Sequence, residues 1–270
     1  MTGGGSGQSG DFMEKAMVHI THARGISFDQ CEFRASGGYA WWAEEGAYDC
    51  SLTRTTHPFL PFCLPRHDDT TACPSLTIRW LACAGSTLTD LGSGAVRLGR
   101  GHAVDSTAKA ECEGHTVADN VVRGPPNQPF TARVWRLSGR GGRGVRFQMS
   151  DGGHVCQEGC GILAQNIGNS TLTHNEIGHF RYTGVSTGWT WGYGHTVVHD
   201  IITSFNHIHH IGEGFLSDMG CVYTLGHQPG SQILNNYCSD VQSYNYGGWA
   251  YYTDEGSRDE LFQNNGKSRA

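Results

Sequence analysis

An asparagine returns at nearly constant intervals through the carboxy-terminal half of the chain, and no other feature restricts the fold as much. It occurs in LTHNEI (Asn175), SFNHI (Asn206), LNNYC (Asn236) and FQNNG (Asn265), at spacings of 31, 30 and 29 residues. Each of the first three copies is followed by a polar turn, a glycine and a second β-like run: GVSTG from Gly184, GFLSDMG from Gly214 and GGWAYYTDEG from Gly247. The amino-terminal half carries the pattern more faintly. There SFDQCEF puts Asp29 at the asparagine position. GGYAWWAEEG from Gly37 then matches GGWAYYTDEG in its glycine pair, aromatic, alanine, two further aromatics and carboxylate pair. The two runs are separated by seven units of about 30 residues.

A unit of that length made of short strands, with glycine at bends and one recurrent amide, predicts an all-β chain folded as a parallel β-helix. Equivalent residues of successive coils would stack about 4.8 Å apart, and stacked asparagine amides would hydrogen-bond along the column. A sandwich would place strands about every 8–12 residues without this phase, and a propeller needs blades of about 40 residues or more. Composition agrees. The 39 glycines in 270 residues are about twice the usual share, and only 16% of residues are charged, which disfavours helical bundles. With 7 Trp, 10 Tyr and 11 Phe the chain can fill a core, which disfavours disorder.

Phasing divides the chain into a flexible Gly/Ser-rich amino terminus (1–10), one β-helix domain (11–265) and a tail (266–270). Insertions are expected at about 56–88, which holds four of the eight prolines, and at about 124–148, rich in Pro and then in Arg and Gly. The net charge of −6 and the small Arg140–Arg146 cluster argue against a nucleic-acid partner. No run of 18 apolar residues predicts a membrane span. MTGGGSGQSGDF lacks the basic and apolar regions of a secretory signal, so localisation stays open. The ten cysteines are irregularly spaced without a CxxC pair. Cys156 and Cys160, the nearest two, lack the partners of a zinc site, and most cysteines read as small buried hydrophobes.

The runs GGYAWWAEEG, DLGSGAVRLG, SDGGHV followed by GCGI, THNEIGHFRYTGVSTGWTWGY, NHIHHIGEGFLSDMGCVYTLG, QPGSQILNNYCSDV and YGGWAYYTDEGS resemble right-handed β-helix proteins related to glycoside hydrolase family 141. The likeness covers residues 11–55, 90–122 and 150–265. It implies a right-handed, single-stranded, pectin lyase-like solenoid that hydrolyses glycosidic bonds in polysaccharides of plant or algal type, with fucosidase and xylanase activities. Proteins of this kind are longer, so the expectation is a solenoid lacking some end coils. Cys221 stands where the family tends to have glycine.

The residues support such chemistry on their own. Glycoside hydrolysis needs one protonated and one ionised carboxyl flanking the bond. Asp218 in LSDMG and Asp254 in YTDEG lie a little more than one unit apart, each with the second β-like run of its unit, so both are expected on one face of adjacent coils as the catalytic pair. Glu255 points oppositely to Asp254 if the strand continues. Around them fall Trp189, Trp191, Tyr193, Tyr223, Trp249, Tyr251 and Tyr252, and sugar rings stack their C–H faces on such aromatics. Alternation puts Trp249 and Tyr251 on one side of the strand and Tyr252 with Asp254 on the other. Glu44 and Glu45 occupy the same places seven units earlier, too far to join the pair, and read as a solvated turn.

Nine of fifteen histidines lie between His154 and His227. In NHIHHIGEG, His207 and His209 alternate to one side and His210 to the other, and a metal would need a third ligand such as His174 or Glu213. No metal or cofactor is assigned. Together Glu255, Trp189, Trp191, Tyr193, His174, His209, Glu213, Tyr223 and Tyr252 are expected to bind a polysaccharide or oligosaccharide, on a monomer. Two alternatives remain. One is a polysaccharide lyase, for which Arg97 and Arg181 are the few candidate bases. The other is a non-catalytic carbohydrate-binding protein.

Overall fold

The computed structural model describes residues 16–23, 27–29, 32–44, 50–53, 81–84, 87–99, 112–113, 115–118, 148–149, 152–153 and 156–268. The 1–10 segment, Glu45 and most of the segments 56–88 and 124–148 lie outside them. Among the described residues every regular element is a strand and the strands pair in parallel, in sheets of 7, 9 and 7 strands. No helix is long and apolar enough to cross a membrane.

From residue 162 the chain visits the sheets in strict rotation. Ile162–Gln165 enters the first sheet, Ile167–Thr173 the second and Glu176–Phe180 the third. Val185–Gly188, His199–Ser204 and His207–Ile211 follow in that order. Met219–Leu225, Gln232–Leu234 and Tyr237–Val241 make the next circuit, then Gly248–Thr253, Leu261–Gln263 and Gly266–Lys267. Each strand pairs with the strand one circuit earlier, a succession consistent with a β-helix-like solenoid. Rotation also explains the core. Alternate residues of each strand face the enclosed space, so Val96, Ile162, Val185 and Val222 form one register column of fully buried side chains. Each such side chain contributes about 1.5–3 kcal/mol by leaving water.

The recurrent asparagine is the buried bend between the second and third sheets. The Asn175 Nδ2 donates to Asn206 Oδ1 at 2.9 Å, Asn206 to Asn236 at 3.0 Å and Asn236 to Asn265 at 3.0 Å. Each Oδ1 also accepts the preceding asparagine's backbone N–H. The same amides donate to the carbonyls of Val117, Leu172, Thr203 and Ile233. Every residue just before a ladder asparagine is left-handed: His174, Phe205, Asn235 and Asn264, with φ of 56°, 54°, 56° and 56°. The bend is therefore a two-residue device, one residue turning the backbone and the next tying it to its neighbours.

One distance along the stack differs from the spacing read from the repeat. Tyr39–Ala43 and Gly248–Thr253 are five steps apart in the first sheet, not seven, or about 24 Å at the usual strand spacing. The residues between Thr53 and Leu81 and between Ala118 and Gln148 add no described strand to that sheet. Leu81–Ala84, inside the segment 56–88, pairs with Cys50–Thr53 and His115–Ala118. Glu44 is buried and bonded to His19 at 2.7 Å, not solvated. Cys156 and Cys160 are buried thiols, as their type suggests. Cys221 and Cys238 instead form a disulfide between the first and third sheets.

Candidate functional site

Asp218 closes the bend leading into Met219–Leu225, with φ 60°, and Asp254 opens the bend leaving Gly248–Thr253. Between them the strands pair Val222 with Tyr251 and Tyr223 with Tyr252. The Tyr251 hydroxyl donates toward the carbonyls of Asn236 and Gly266, crossing toward the third sheet. Alternation therefore sends Tyr223 and Tyr252 to the opposite face. There the Tyr252 hydroxyl donates to Asp218 Oδ1 at 2.7 Å and the Tyr223 hydroxyl donates to Asp254 Oδ2. The two rings meet edge to face at 4.8 Å. Tyr182, buried beneath, donates to the backbone oxygen of Asp218 at 2.9 Å.

This arrangement links the two carboxylates through phenols. Burial pushes the Tyr252 hydroxyl above its ordinary range, reinforced by hydrogen bonding to both Asp218 and Asp254. Tyr223 is raised by burial and then by its bond to Asp254. Tyr182 is raised by burial first, with the negative charges of Asp218 and Asp254 adding to it. On the exposed Tyr246 the Asp218 charge is the leading cause of a rise. All four phenols thus stay protonated at neutral pH as hydrogen-bond donors.

A continuous run of rings flanks the pair. Trp191 meets Trp189 edge-on at 6.4 Å, Trp189 stacks on Tyr223 at 5.9 Å, Tyr252 packs on Trp249 at 4.1 Å and Trp249 meets Tyr246 at 6.2 Å. Trp189 and Tyr223 are buried, Ser186 holding the Trp189 Nε1–H at 3.0 Å, while Trp191, Trp249 and Tyr246 are exposed. Gly256 brings the connection carrying Trp191 against the Asp254 bend. Its φ is 77°, and a Cβ there would lie 1.9 Å from the carbonyl oxygen of Gly192. Tyr193 lies exposed in that connection.

Several expected residues lie elsewhere. His174 is the exposed left-handed residue of the asparagine bend, its ring stacked on Phe205 at 5.0 Å. It belongs to a corner between the second and third sheets, whereas both aspartates bound the first. His209 is buried on the third sheet, and the Glu213 carboxylate, after it, lies 3.0 Å from His179 Nδ1. That histidine holds the Glu213 carboxyl below the usual range. Glu255 is exposed and its backbone oxygen accepts from Gly226. Trp249 joins Tyr252 instead of Tyr251, because the pairing skips Cys221 and Ala250 and strict alternation lapses there.

Tyr182, Tyr246 and Glu260 escaped the sequence reading. Tyr182 and Asp218 are 36 residues apart, a contact that only the stacking register reveals. Glu260 is half-buried beside Thr224 with its carboxyl oxygens enclosed, and this burial pushes the carboxyl up to about 7, which the Thr224 hydroxyl partly opposes. Nothing in its surroundings in sequence marks it.

No family model matches the chain, and no curated protein matches it. A solved structure described as a glycoside hydrolase is similar in fold. It has 17% sequence identity and a TM-score of 0.59, over 93% of this chain and 38% of the other. The chain therefore spans well under half the length of the structure it matches.

Proposed function

We propose that the chain is a right-handed parallel β-helix of the pectin lyase-like kind that hydrolyses glycosidic bonds in a polysaccharide of plant or algal cell-wall type. In this reading Asp218 and Asp254 are the carboxylate pair. The observation that carries it is the pair itself, tied to Tyr252 and Tyr223 beneath a run of aromatic rings. One carboxyl would protonate the leaving oxygen, while the other attacks the anomeric carbon or activates water. Exposed Trp191, Trp249 and Tyr246 would stack on sugar faces. The similarity in fold to a glycoside hydrolase supports carbohydrate as the substrate class.

The lyase reading fares less well. Arg97 is buried with its guanidinium 4.3 Å over Trp42, and Arg181 lies 4.3 Å over Phe215 while donating to the Gly153 carbonyl. Neither is placed as a mobile base beside the aspartates. The test is turnover of xylans and fucose-containing polysaccharides by the parent chain, Asp218→Asn and Asp254→Asn. Each substitution is expected to lower the rate by on the order of 10²–10⁴ with the melting temperature held. An unaltered rate would sink the hydrolase reading. Unsaturated products absorbing in the ultraviolet would indicate a lyase, and retention of sugar without turnover a binding protein.

A further inference from the structure

The third sheet carries a second cluster that the proposed hydrolysis does not use. In three successive strands the residues His179, His210 and Asp240 are left-handed, with φ of 58°, 51° and 55°. The register steps over the first two, pairing Gly178 with His209 and then Phe180 with Ile211. The third strand repeats the step, pairing His209 with Ser239 and Ile211 with Val241. Each strand thus carries a left-handed residue at the same level, and that conformation re-aims the side chain out of the two-residue alternation. Here it cancels the alternation that would have sent His210 away from His209. The His209 Nδ1 lies 2.9 Å from His210 Nδ1, and the ring of His179 stacks on His210 at 4.6 Å.

We propose that His179, His209 and His210 form a binding site for a borderline divalent transition-metal ion of the Zn²⁺ class. The three offer ligand atoms that all lie within 4.8 Å of one another. Imidazole nitrogen is the donor such ions favour, whereas Ca²⁺ and Mg²⁺ require oxygen. Opening the nitrogen pair from 2.9 Å to roughly 3.3 Å would fit two ligands of a tetrahedral ion. Two carboxylates already orient the rings: Glu213 Oε1 lies 3.0 Å from His179 Nδ1, and Glu176 Oε1 lies 3.5 Å from His209 Nε2. Carboxylate–histidine pairs of this kind fix the ring and raise the basicity of a metal ligand.

The backbone makes room for this geometry. A Cβ on Gly178 would fall 2.3 Å from the His209 ring, so only glycine lets that imidazole lie across the neighbouring strand. The ion would bridge Glu176–Phe180 and His207–Ile211, strands of adjacent circuits, and so fasten them together.

Calorimetric titration of the full chain with ZnCl₂ tests the site, independently of any activity on sugars. One saturable site per chain is expected. His210→Gln, at an exposed ring, and His179→Gln should each weaken it at least tenfold, and Glu176→Gln by roughly 10–100-fold. His227→Gln, at a histidine paired with Asp259, should leave it unchanged. Zn²⁺ should raise the melting temperature of the parent chain and not that of His210→Gln. Co²⁺ should give the visible bands of a four-coordinate ion in the parent alone. Absence of a saturable site, or one indifferent to both His179→Gln and His210→Gln, would overturn the proposal, as would tighter binding of Ca²⁺ than of Zn²⁺.

Discussion

Along the bend between the second and third sheets, Asn175, Asn206, Asn236 and Asn265 repeat one side chain and one set of hydrogen bonds from circuit to circuit. Along the first sheet, one register column reads Trp42, Arg97, Leu163, Ser186, Tyr223 and Tyr252, a new chemical type at almost every step. Stacking governs both, but the constraints differ. The asparagine column lies within the bend, where each amide satisfies backbone groups that water cannot reach, so one solution recurs. The varied column is free of that obligation and ends in the two phenols that hold Asp218 and Asp254.

If this contrast is right, substitutions in the first region cost stability and those in the second cost chemistry. Asn206→Ala should have the largest effect. It removes the acceptor of the Asn175 backbone N–H and side-chain amide and the side-chain donor to the Asn236 oxygen and the Leu172 carbonyl, each buried group left unsatisfied costing about 1–3 kcal/mol. A loss of about 4 kcal/mol is expected in urea unfolding. Asn265→Ala, at the last and only partly buried rung, should lose less than half of that, and an equal loss would break the picture of a ladder.

Glu260 sharpens the comparison, being a half-buried acid whose enclosed carboxyl has no ladder to satisfy it. Its native pKa is raised from 4.5 to about 7, so the folded state retains a proton that the unfolded chain has released. The stability this contributes is complete below about pH 4.5 and is lost as pH rises through about 7. Melting followed from pH 4.5 to 8 should show the parent chain losing roughly 2 kcal/mol relative to Glu260→Gln. Parallel pH curves for the two would contradict it. The smallest effect belongs to Tyr252→Phe. Removing the hydroxyl that bonds Asp218 should lower turnover of whatever polysaccharide the chain cleaves by about tenfold, near 1.4 kcal/mol, with stability changed by less than about 1 kcal/mol. A melting shift as large as that of Asn206→Ala would erase the distinction between the regions.

The same contrast explains what could be read without coordinates. A side chain doing one repeated job leaves a period, and the spacing of Asn175 to Asn265 was enough to expect the ladder and the parallel strands. The left-handed residue before each asparagine left no mark, because His174, Phe205, Asn235 and Asn264 share a conformation and no common chemistry. Alternation correctly separated Tyr251 from Tyr252. It failed at Trp249 and His210, where the pairing is interrupted and the two-residue period with it. Tyr182 was invisible for a different reason: its contact with Asp218 joins one circuit to the next and lies in no local pattern.

The Cys221–Cys238 bond alters how such a stack can come apart. In an architecture where each layer touches only its neighbours, unravelling runs inward from an end. The bond spans 17 positions and joins Met219–Leu225 to Tyr237–Val241 within one circuit, both sulfurs enclosed. Chain pulled from the carboxy end would peel away layer by layer only as far as Cys238. There the force would meet a closed covalent loop and pass directly to Cys221, leaving the intervening strand Gln232–Leu234 without tension until a reductant reached the bond.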